Sequence, residues 1–341
     1  MSAFTHAAAT MQTVSLNASE EASRRGQRDV DIDHLFLALV ISSDAAGRAL
    51  RALGISLDGA REAVAELHTD QLRSLGITTG IPDDGVITFH ETDGYDLTPR
   101  SLAVMKQASA GKKSGDSADL LRELIAEPSG LVVDLIARLG STPGDVHAQL
   151  DALGRDGTEG GRAGKRPARP RARGVVAQQA ETFVPAPIAD VWALLADPAR
   201  MPEWESSVAR VEPPTSPEGA APDALVEGSA WIAHVLTERP DGKPMKIKAV
   251  YRRRRVELRT VEEPFRIAWL TTFPDAPRAA PFTLEIELSA APGGTQLVLT
   301  TMRRRHTGWR RVVGFPLRPL QRFLLWLQVT HVGAAIGRVF R

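Results

Sequence analysis

The stretch at residues 184–204, VPAPIADVWALLADPARMPEW, decides how the second half of the chain folds. Its prolines at 185 and 187 end a predicted strand at 175–184, because proline has no N–H to donate to a neighbouring strand. The apolar run at 188–196 predicts a short helix. Residues 197–204 predict a second helical turn, since an aspartate cap is followed by proline at the first helical position.

Six more strands are predicted beyond this stretch, where apolar and polar residues alternate between turns that contain proline and glycine. They are placed at 207–211, 228–237, 246–258, 266–273, 282–290 and 295–304. At residues 314–340 the apolar period changes to about 3.6, which is typical of a helix with one apolar side. We therefore predict an α+β helix-grip domain, in which a seven-stranded antiparallel sheet wraps around a long C-terminal helix.

This order of elements resembles the SRPBCC or START-like superfamily, the fold of polyketide cyclases and lipid-transfer proteins. The motifs EEPFRIAWLTTF at 262–273 and GGTQLVLTTM at 293–302 add to the resemblance, which covers residues 175–341. The resemblance implies a groove between the sheet and the long helix, wide enough for an apolar molecule or a lipid. The fold hosts carriers, cyclases and chaperone activators, so it does not choose among these functions.

The candidate residues for lining the expected groove have large side chains or side chains that can transfer a proton. They are Trp231, His234, Tyr251, Trp269, Phe273, Phe282, Met302, Phe323 and Trp326. Trp231 and His234 share one predicted strand, and successive side chains of a strand point to opposite faces. Either of the two can face the groove on this pattern.

The composition places limits on the class of protein. Of 341 residues, 43% are hydrophobic and 24% are charged, which is ordinary for a globular chain of about two domains. With no cysteine, the chain excludes disulfide scaffolds, thiolate metal sites and a cysteine nucleophile. We find no secretory signal and no apolar run of membrane-spanning length, so a cytoplasmic protein without a transmembrane segment is expected. No cofactor or metal is predicted.

Charge separates the two halves of the chain. Residues 1–154 hold 13 Lys and Arg against 22 Asp and Glu, whereas the remainder is net basic. Between the halves, residues 154–174 are rich in Gly, Pro and Arg and contain no large apolar residue, which predicts a flexible linker. The domains are therefore placed at 1–153 and 175–341.

The acidic half predicts only helices. Helical spacing of apolar residues indicates helices at 5–23, 33–40, 45–53 and 56–68. Parts of the pattern then recur about 90 residues later, with ADLL at 118–121 after DHLF at 33–36. Two consecutive copies of one helical unit are therefore predicted.

Four phrases of this half resemble the two-repeat N-terminal domain of the ClpA and ClpC unfoldases. They are DHLFLALV at 33–40, ALRALGISLDGAREAV at 49–64, LTPR at 97–100 and LIARLGSTPGDVHAQL at 135–150. The resemblance covers residues 4–153 and implies a non-catalytic module that docks adaptors and substrates. The chain has no G-x4-G-K-[ST] motif, so the ATPase motor of those unfoldases is not expected.

The Clp resemblance also implies a docking site. In ClpC-like members the domain resembles a receptor for phosphorylated arginine, in which an acidic residue before the His-Leu pair binds the guanidinium. Asp33 keeps that position in the first repeat, whereas Ala118 replaces it in the second. Thr5, Asp33 and His34 are the candidate protein-docking residues.

Three functions fit these patterns. The favoured one is a non-catalytic protein that binds an apolar small molecule or lipid in the C-terminal cavity and docks a protein through its helical domain. The second is an adaptor in a chaperone or protease network, with both domains binding protein. The third is a polyketide cyclase or aromatase, in which His234, Tyr251 or His306 moves a proton. The arginine runs at 252–255 and 303–305 lie in predicted strands, where successive side chains point to opposite faces. Binding of nucleic acid needs a continuous basic surface, so it is not expected.

Overall fold

The computed structural model describes residues 3–78, 85, 87, 94–111, 113–159, 175–215, 217, 226–238, 242–304 and 318–341. The chain divides into two compact units, Met1–Arg166 and Pro167–Arg341. Within those ranges, no helix is long and apolar enough to cross a membrane. The same residues contain no cluster of three or more His, Asp or Glu side chains that could hold a metal ion.

The described part of the N-terminal unit is built from eight helices and one short strand pair. Strands β1 (Asp29–Val30) and β2 (Asp96–Leu97) pair in parallel. The helices are α1 Ala3–Arg24, α2 Ile32–Val40, α3 Ala45–Ala52, α4 Leu57–Ser74, α5 Pro99–Ala108, α6 Ser117–Ile125, α7 Leu131–Arg138 and α8 Pro143–Glu159. The helices predicted in the first repeat are present, although α4 extends beyond its predicted end at residue 68.

Helices α2 and α6 begin in the same way. Asp31 is the N-cap of α2, and its own N–H donates to Nδ1 of His34, 3.1 Å away. Asp116 is the N-cap of α6 and accepts from the N–H groups of Ala118 and Asp119. An aspartate cap satisfies N–H groups that would otherwise lack partners at a helix start. The second helix of each set of four helices therefore begins at an aspartate N-cap.

Helix α2 lies at the centre of the N-terminal core. Every one of its residues is buried, and Leu35 is fully inaccessible to solvent. Leu120 of α6 and Leu135 of α7 belong to the same apolar cluster. Arg51 of α3 is also buried, and its Nη1 donates to the carbonyls of Val40 and Ser42 at the end of α2. The last carbonyls of this central helix are thereby given a donor.

The C-terminal unit is a seven-stranded antiparallel sheet with helices on one face. The strands follow the order β3-β9-β8-β7-β6-β5-β4. They are β3 Val175–Val184, β4 Val208–Val211, β5 Ala230–Val235, β6 Arg253–Glu262, β7 Arg266–Thr272, β8 Phe282–Ala291 and β9 Gly294–Arg304. The helices are α9 Ile188–Ala196, α10 Met201–Trp204 and α11 Arg318–Val339. The predicted helix-grip-like arrangement of strands and helices is confirmed.

Helix α11 covers the β3 and β9 side of the sheet. Val329, Val332 and Ile336 of α11 are buried in one cluster with sheet residues. A Cβ at Gly333 would lie 2.2 Å from Oγ1 of Thr182, so glycine permits the close approach of helix and strand. The terminal helix therefore packs on the sheet through these residues.

Two predicted boundaries need correction. The strand predicted at 246–258 begins only at Arg253, and Ala249–Tyr251 forms a 3-10 turn. Arg253 pairs with His234 near the end of β5, so residues 246–251 have no neighbouring strand to pair with despite their alternating pattern. Helix α8 extends to Glu159, into the stretch predicted as linker. Residues 160–174 of that stretch lie outside the described residues.

Candidate functional site

The two faces of strand β5 have different roles. Trp231, Ala233 and Val235 are buried on the face that packs against the helices. His234 points to the opposite face, where its Nε2 lies 2.6 Å from Oε1 of Glu212. This hydrogen bond holds the pKa of Glu212 below its usual range. The placement of His234 in the cavity is therefore wrong, because strand alternation gives the inner face to Trp231.

A small cavity lies on the inner face, between α10 and the sheet. Its volume is about 20 Å³. It is lined by Met201, Trp204, Glu205, Val208, Ala233, Arg254, Val256, Trp269, Thr271, Phe282 and Leu284. A space of this size holds about one water molecule. This cavity is therefore much smaller than the wide groove expected from the resemblance.

Aromatic packing accounts for the small volume. The ring centroids of Trp204 and Trp269 lie 5.4 Å apart, and both side chains are almost fully buried. Trp204 enters from α10, whose position close to the strands could not be read from the sequence. Of the predicted cavity residues, Trp269 and Phe282 line the space, whereas Trp231 packs in the surrounding core.

Three aromatic side chains, of which Phe282 lines the cavity, form a continuous row from the cavity to the surface. The ring centroids of Phe282 and Phe273 are 6.5 Å apart, and those of Phe273 and Tyr251 are 5.6 Å apart, edge to face. Tyr251 is 41% exposed. We call Tyr251, Phe273 and Phe282 the aromatic trio. Phe273 and Tyr251 thus lie beside the cavity without lining it.

The remaining predicted cavity residues are less closely connected to this space. Met302 is half-buried on β9, where it faces Thr283 of β8 in the strand register. Trp326 is half-buried on α11. Phe323 lies on α11, but its side chain is outside the described part of the molecule, as is the whole of His306. The proposed proton-transfer groups His234 and Tyr251 do not converge, since one lies on the outer face and the other is exposed.

Arg254 is a cavity residue that the sequence interpretation did not single out. It faces Ala233 in the register of β5 and β6, so its side chain shares the inner face. Its Nη1 donates to Oγ of Ser207 at 2.8 Å, and that hydroxyl donates to Oε1 of Glu205 at 2.5 Å. Burial lowers the pKa of Arg254, and the charge of Glu205 opposes this shift. The signal was present, because Val256 and Leu258 follow Arg254 at strand spacing.

A larger cleft opens in the N-terminal unit, beside the start of α2. Its volume is about 330 Å³. It is lined by Gln27, Arg28, Asp29, Asp31, Asp33, His34, His68 and Thr98. Asp33 and His34, two of the three predicted docking residues, both line this cleft. Thr5 belongs to α1, but its side chain is outside the described residues.

Asp33 lies on the floor of this cleft and is only 2% exposed. Its Oδ1 accepts from the N–H of His34 at 2.9 Å, and Nε2 of His68 lies 3.4 Å from its Oδ2. Burial lowers the pKa of His68, whereas the charge of Asp33 acts in the opposite direction. Nε2 of His34 is also buried, and no hydrogen-bond partner for it exists within the described ranges.

Asp31 links the two helical sets at the rim of the cleft. Its carboxylate pairs with the guanidinium of Arg100, whose Nε lies 2.6 Å from Oδ1, and accepts from the hydroxyl of Thr98 at 2.8 Å. Burial alone would raise the pKa of Asp31, but the hydrogen bonds from Arg100 and Thr98 outweigh it and lower the pKa. The sequence interpretation missed this residue, because its partners Thr98 and Arg100 lie 67 and 69 residues further along the chain.

Comparison with known families agrees with the fold of the C-terminal unit. Residues 185–314 match the family described as Activator of Hsp90 ATPase homolog 1-like protein, AHSA1. Residues 185–314 of the C-terminal unit are thus similar to an AHSA1-like domain. No curated protein sequence matches the chain. The matched residues lie wholly outside the helical unit, so the Clp resemblance of that unit stays a prediction.

Several solved structures are similar at low sequence identity. TTHA0849 from Thermus thermophilus is 20% identical, with a TM-score of 0.35, over 48% of this chain and 97% of that one. CV1439 from Chromobacterium violaceum is 12% identical, with a TM-score of 0.33, over 48% and 96%. The di-domain ARO/CYC StfQ from the steffimycin biosynthetic pathway is 14% identical, with a TM-score of 0.35, over 63% and 59%.

Proposed function

We propose that the C-terminal AHSA1-like domain binds a small apolar molecule at the cavity between α10 and the sheet. The observation that carries this proposal is the aromatic trio, which connects an exposed tyrosine to a cavity walled by Trp204 and Trp269. Binding sites for small molecules are usually apolar and aromatic, with few polar groups. The present volume is too small for a ligand, so the trio must turn outward when one enters.

A pair of threonine variants tests this proposal. Thr271 lines the cavity and is 6% exposed, whereas its neighbour Thr272 points to the other face. Thr271→Ile adds apolar bulk within the cavity, and Thr272→Ile is the matched control. We expect Thr271→Ile to weaken the binding of 2-naphthalenemethanol at least about tenfold, measured by tryptophan quenching, and Thr272→Ile to leave it unchanged. Equal affinities in both variants would place the ligand elsewhere.

For the N-terminal unit we propose a protein-docking role, through the cleft that Asp33 lines. The support is an acidic space of about 330 Å³ that holds three aspartates, together with the resemblance to ClpC-type domains. A carboxylate pair with a guanidinium is a strong, charge-assisted interaction. The expected occupant is the side chain of a phosphorylated arginine on a partner protein.

The docking proposal is tested with a synthetic peptide that contains one phosphorylated arginine. We expect Asp33→Asn to weaken binding of this peptide about tenfold or more in calorimetry. Asp58→Asn is the control, because Asp58 is almost fully exposed and lies outside the cleft. If both variants bind the peptide as the wild type does, Asp33 has no part in docking.

A role in a chaperone network is the second candidate function. It is favoured by the family description, which names an activator of the Hsp90 ATPase, and by the resemblance of the helical unit to a protein-quality-control module. If this role holds, the full chain should raise the ATPase rate of an Hsp90-type chaperone in a concentration-dependent way. An unchanged rate at saturating protein would contradict it.

A further inference from the structure

The cavity in the C-terminal unit contains two donors that have no acceptor. Nε of Arg254 and Nε1 of Trp204 are both buried, and neither has a hydrogen-bond partner in the described part of the chain. Both residues line the same small cavity. A buried donor without an acceptor is costly, so such groups are uncommon in folded proteins and call for an explanation.

Arg254 differs from the other arginines of its own sheet region. Arg253 pairs with Asp275, Arg255 with Glu257, and Arg266 with Glu285. For Arg254, no carboxylate of the described residues lies within ion-pair distance. Arg254 is linked to a carboxylate only indirectly, because the hydroxyl of Ser207 accepts from its guanidinium and donates to Glu205. The N–H of Ser207 also donates to Glu205, so that carboxylate is engaged with the serine.

We propose that Arg254 and Trp204 bind an anionic oxygen of the ligand, and that the ligand is therefore an apolar carboxylic acid. This inference rests on the proposed function of the same cavity. A carboxylate brings several acceptor sites to these two unused donors, while aromatic walls surround the apolar remainder. Glu205 also lines the cavity, but its Oε1 accepts from Ser207. In the unliganded protein, a single water can occupy the space of about 20 Å³ and accept from the same donors.

Two compounds of the same ring system test this assignment on the full chain. 2-Naphthoate carries the carboxylate, and 2-naphthalenemethanol replaces it by a neutral hydroxyl. We expect the wild type to bind the carboxylate at least about tenfold more tightly, because hydrogen bonds to charged groups are stronger than neutral ones. Arg254→Met should remove this preference, so that the ratio of the two dissociation constants approaches one.

Arg253→Met is the matched control, because Arg253 lies next in sequence and its side chain points to the other face. It should keep the wild-type preference for the carboxylate. Arg254→Lys retains the charge without Nε, and we expect it to recover only part of the preference. Thermal unfolding of each variant identifies any that fail to fold, and the lysine variant then replaces the methionine one.

The outcomes separate the two proposals. If the wild type binds neither compound, the proposed function of the cavity fails, and this inference with it. If it binds both with equal affinity, the cavity binds apolar molecules but the assignment of Arg254 is wrong. A preference that persists in Arg254→Met also overturns the assignment. A crystal structure with naphthoate away from Arg254, and a water on both donors, would do the same.

Discussion

Each unit of this chain contains an arginine that is at least half-buried, and Arg51 and Arg254 are used differently. Arg51 in the helical unit donates to the carbonyls of Val40 and Ser42, and burial lowers its pKa to about 10. Arg254 in the sheet unit is half-buried and has a lowered pKa, but its Nε is fully buried and has no acceptor among the described residues. The first guanidinium completes a helix end, whereas the second is left with capacity to bind something else.

The comparison distinguishes a charged side chain that stabilises the fold from one that is available to bind a ligand. A buried charge is tolerated when the protein supplies its partners, and removing one partner then destabilises the fold. A buried charge that the protein leaves partly unsatisfied costs stability in the free state, and it is a reasonable candidate for ligand binding. Substitution should therefore have opposite effects in the two units.

The largest effect is expected at the buried ion pair of the helical unit. Arg61 donates from Nε and Nη2 to the two oxygens of Glu21, each at 2.9 Å, and both side chains are buried. Glu21→Ala should lower the free energy of unfolding by about 3–5 kcal/mol, because it removes the buried carboxylate that pairs with the guanidinium. Chemical denaturation measures this change. The double variant Glu21→Leu with Arg61→Met should lose less than the single one; a larger loss would contradict the pairing argument.

A smaller effect is expected at Asp31. Asp31→Ala removes the N-cap of α2 and the ion pair with Arg100, which together should cost about 1–2 kcal/mol. Asp31→Asn keeps the capping oxygen, so its effect on stability reports the loss of the ion pair alone. We expect this effect to be smaller than that of Asp31→Ala, because both side chains of the ion pair are partly exposed. The folded-state pKa of Asp31 is lowered, so its charge contributes stability above the unfolded pKa.

Titration with acid checks the sign of this contribution. As the pH falls from about 4 through the folded pKa of Asp31, the carboxylate is protonated and the extra stability of the wild type over Asp31→Asn is lost. Unfolding measured between about pH 2.5 and pH 6 should show the two proteins converge at the acidic end. A gap that stays constant would mean that the charge of Asp31 does not stabilise the fold.

A weaker pH effect is expected from His68. Burial lowers its pKa in the folded protein, so the unfolded chain binds a proton more readily. Stability should be full above about pH 6.5 and should decrease as the pH falls below that value. His68→Gln removes this dependence. Hydrogen exchange in α2, measured at pH 5 and pH 7.5, detects it, and an identical pH response in the variant would contradict it.

The smallest effect on stability is expected at Arg254. Replacing the half-buried guanidinium with an apolar side chain of similar length removes one hydrogen bond to Ser207 but also a buried donor that has no acceptor among the described residues. We expect Arg254→Met to change the free energy of unfolding by less than about 1 kcal/mol, with a bias towards higher stability. A loss of several kcal/mol, similar to that of Glu21→Ala, would show that Arg254 is structural and remove the contrast between the units.

Regular alternation made most of the sheet unit predictable. The strand at 175–184 was placed at its observed bounds, and the helix at 188–196 as well. Alternation failed at 246–251, where the pattern is right but no neighbouring strand is available. A strand requires a hydrogen-bonded partner, and the presence of that partner is not encoded locally.

The candidate sites were predictable only in part. Asp33 and His34 were found because a local phrase contains both, and they do line one cleft. Arg100 was not found, because its partner Asp31 lies in a distant part of the chain. Arg254 was hidden within a run of four arginines, and only its pairing with Ala233 shows that it faces inward.

The sequence by itself determined most of the element types and the order of strands and helices along the C-terminal unit. These follow from local periodicity, because backbone geometry repeats every two residues in a strand and about every 3.6 in a helix. Tertiary structure alone decided which face of β5 is inner, how far Trp204 and Trp269 fill the cavity, and that Nε of Arg254 has no acceptor among the described residues. These depend on contacts between residues far apart in the chain, which no local pattern records.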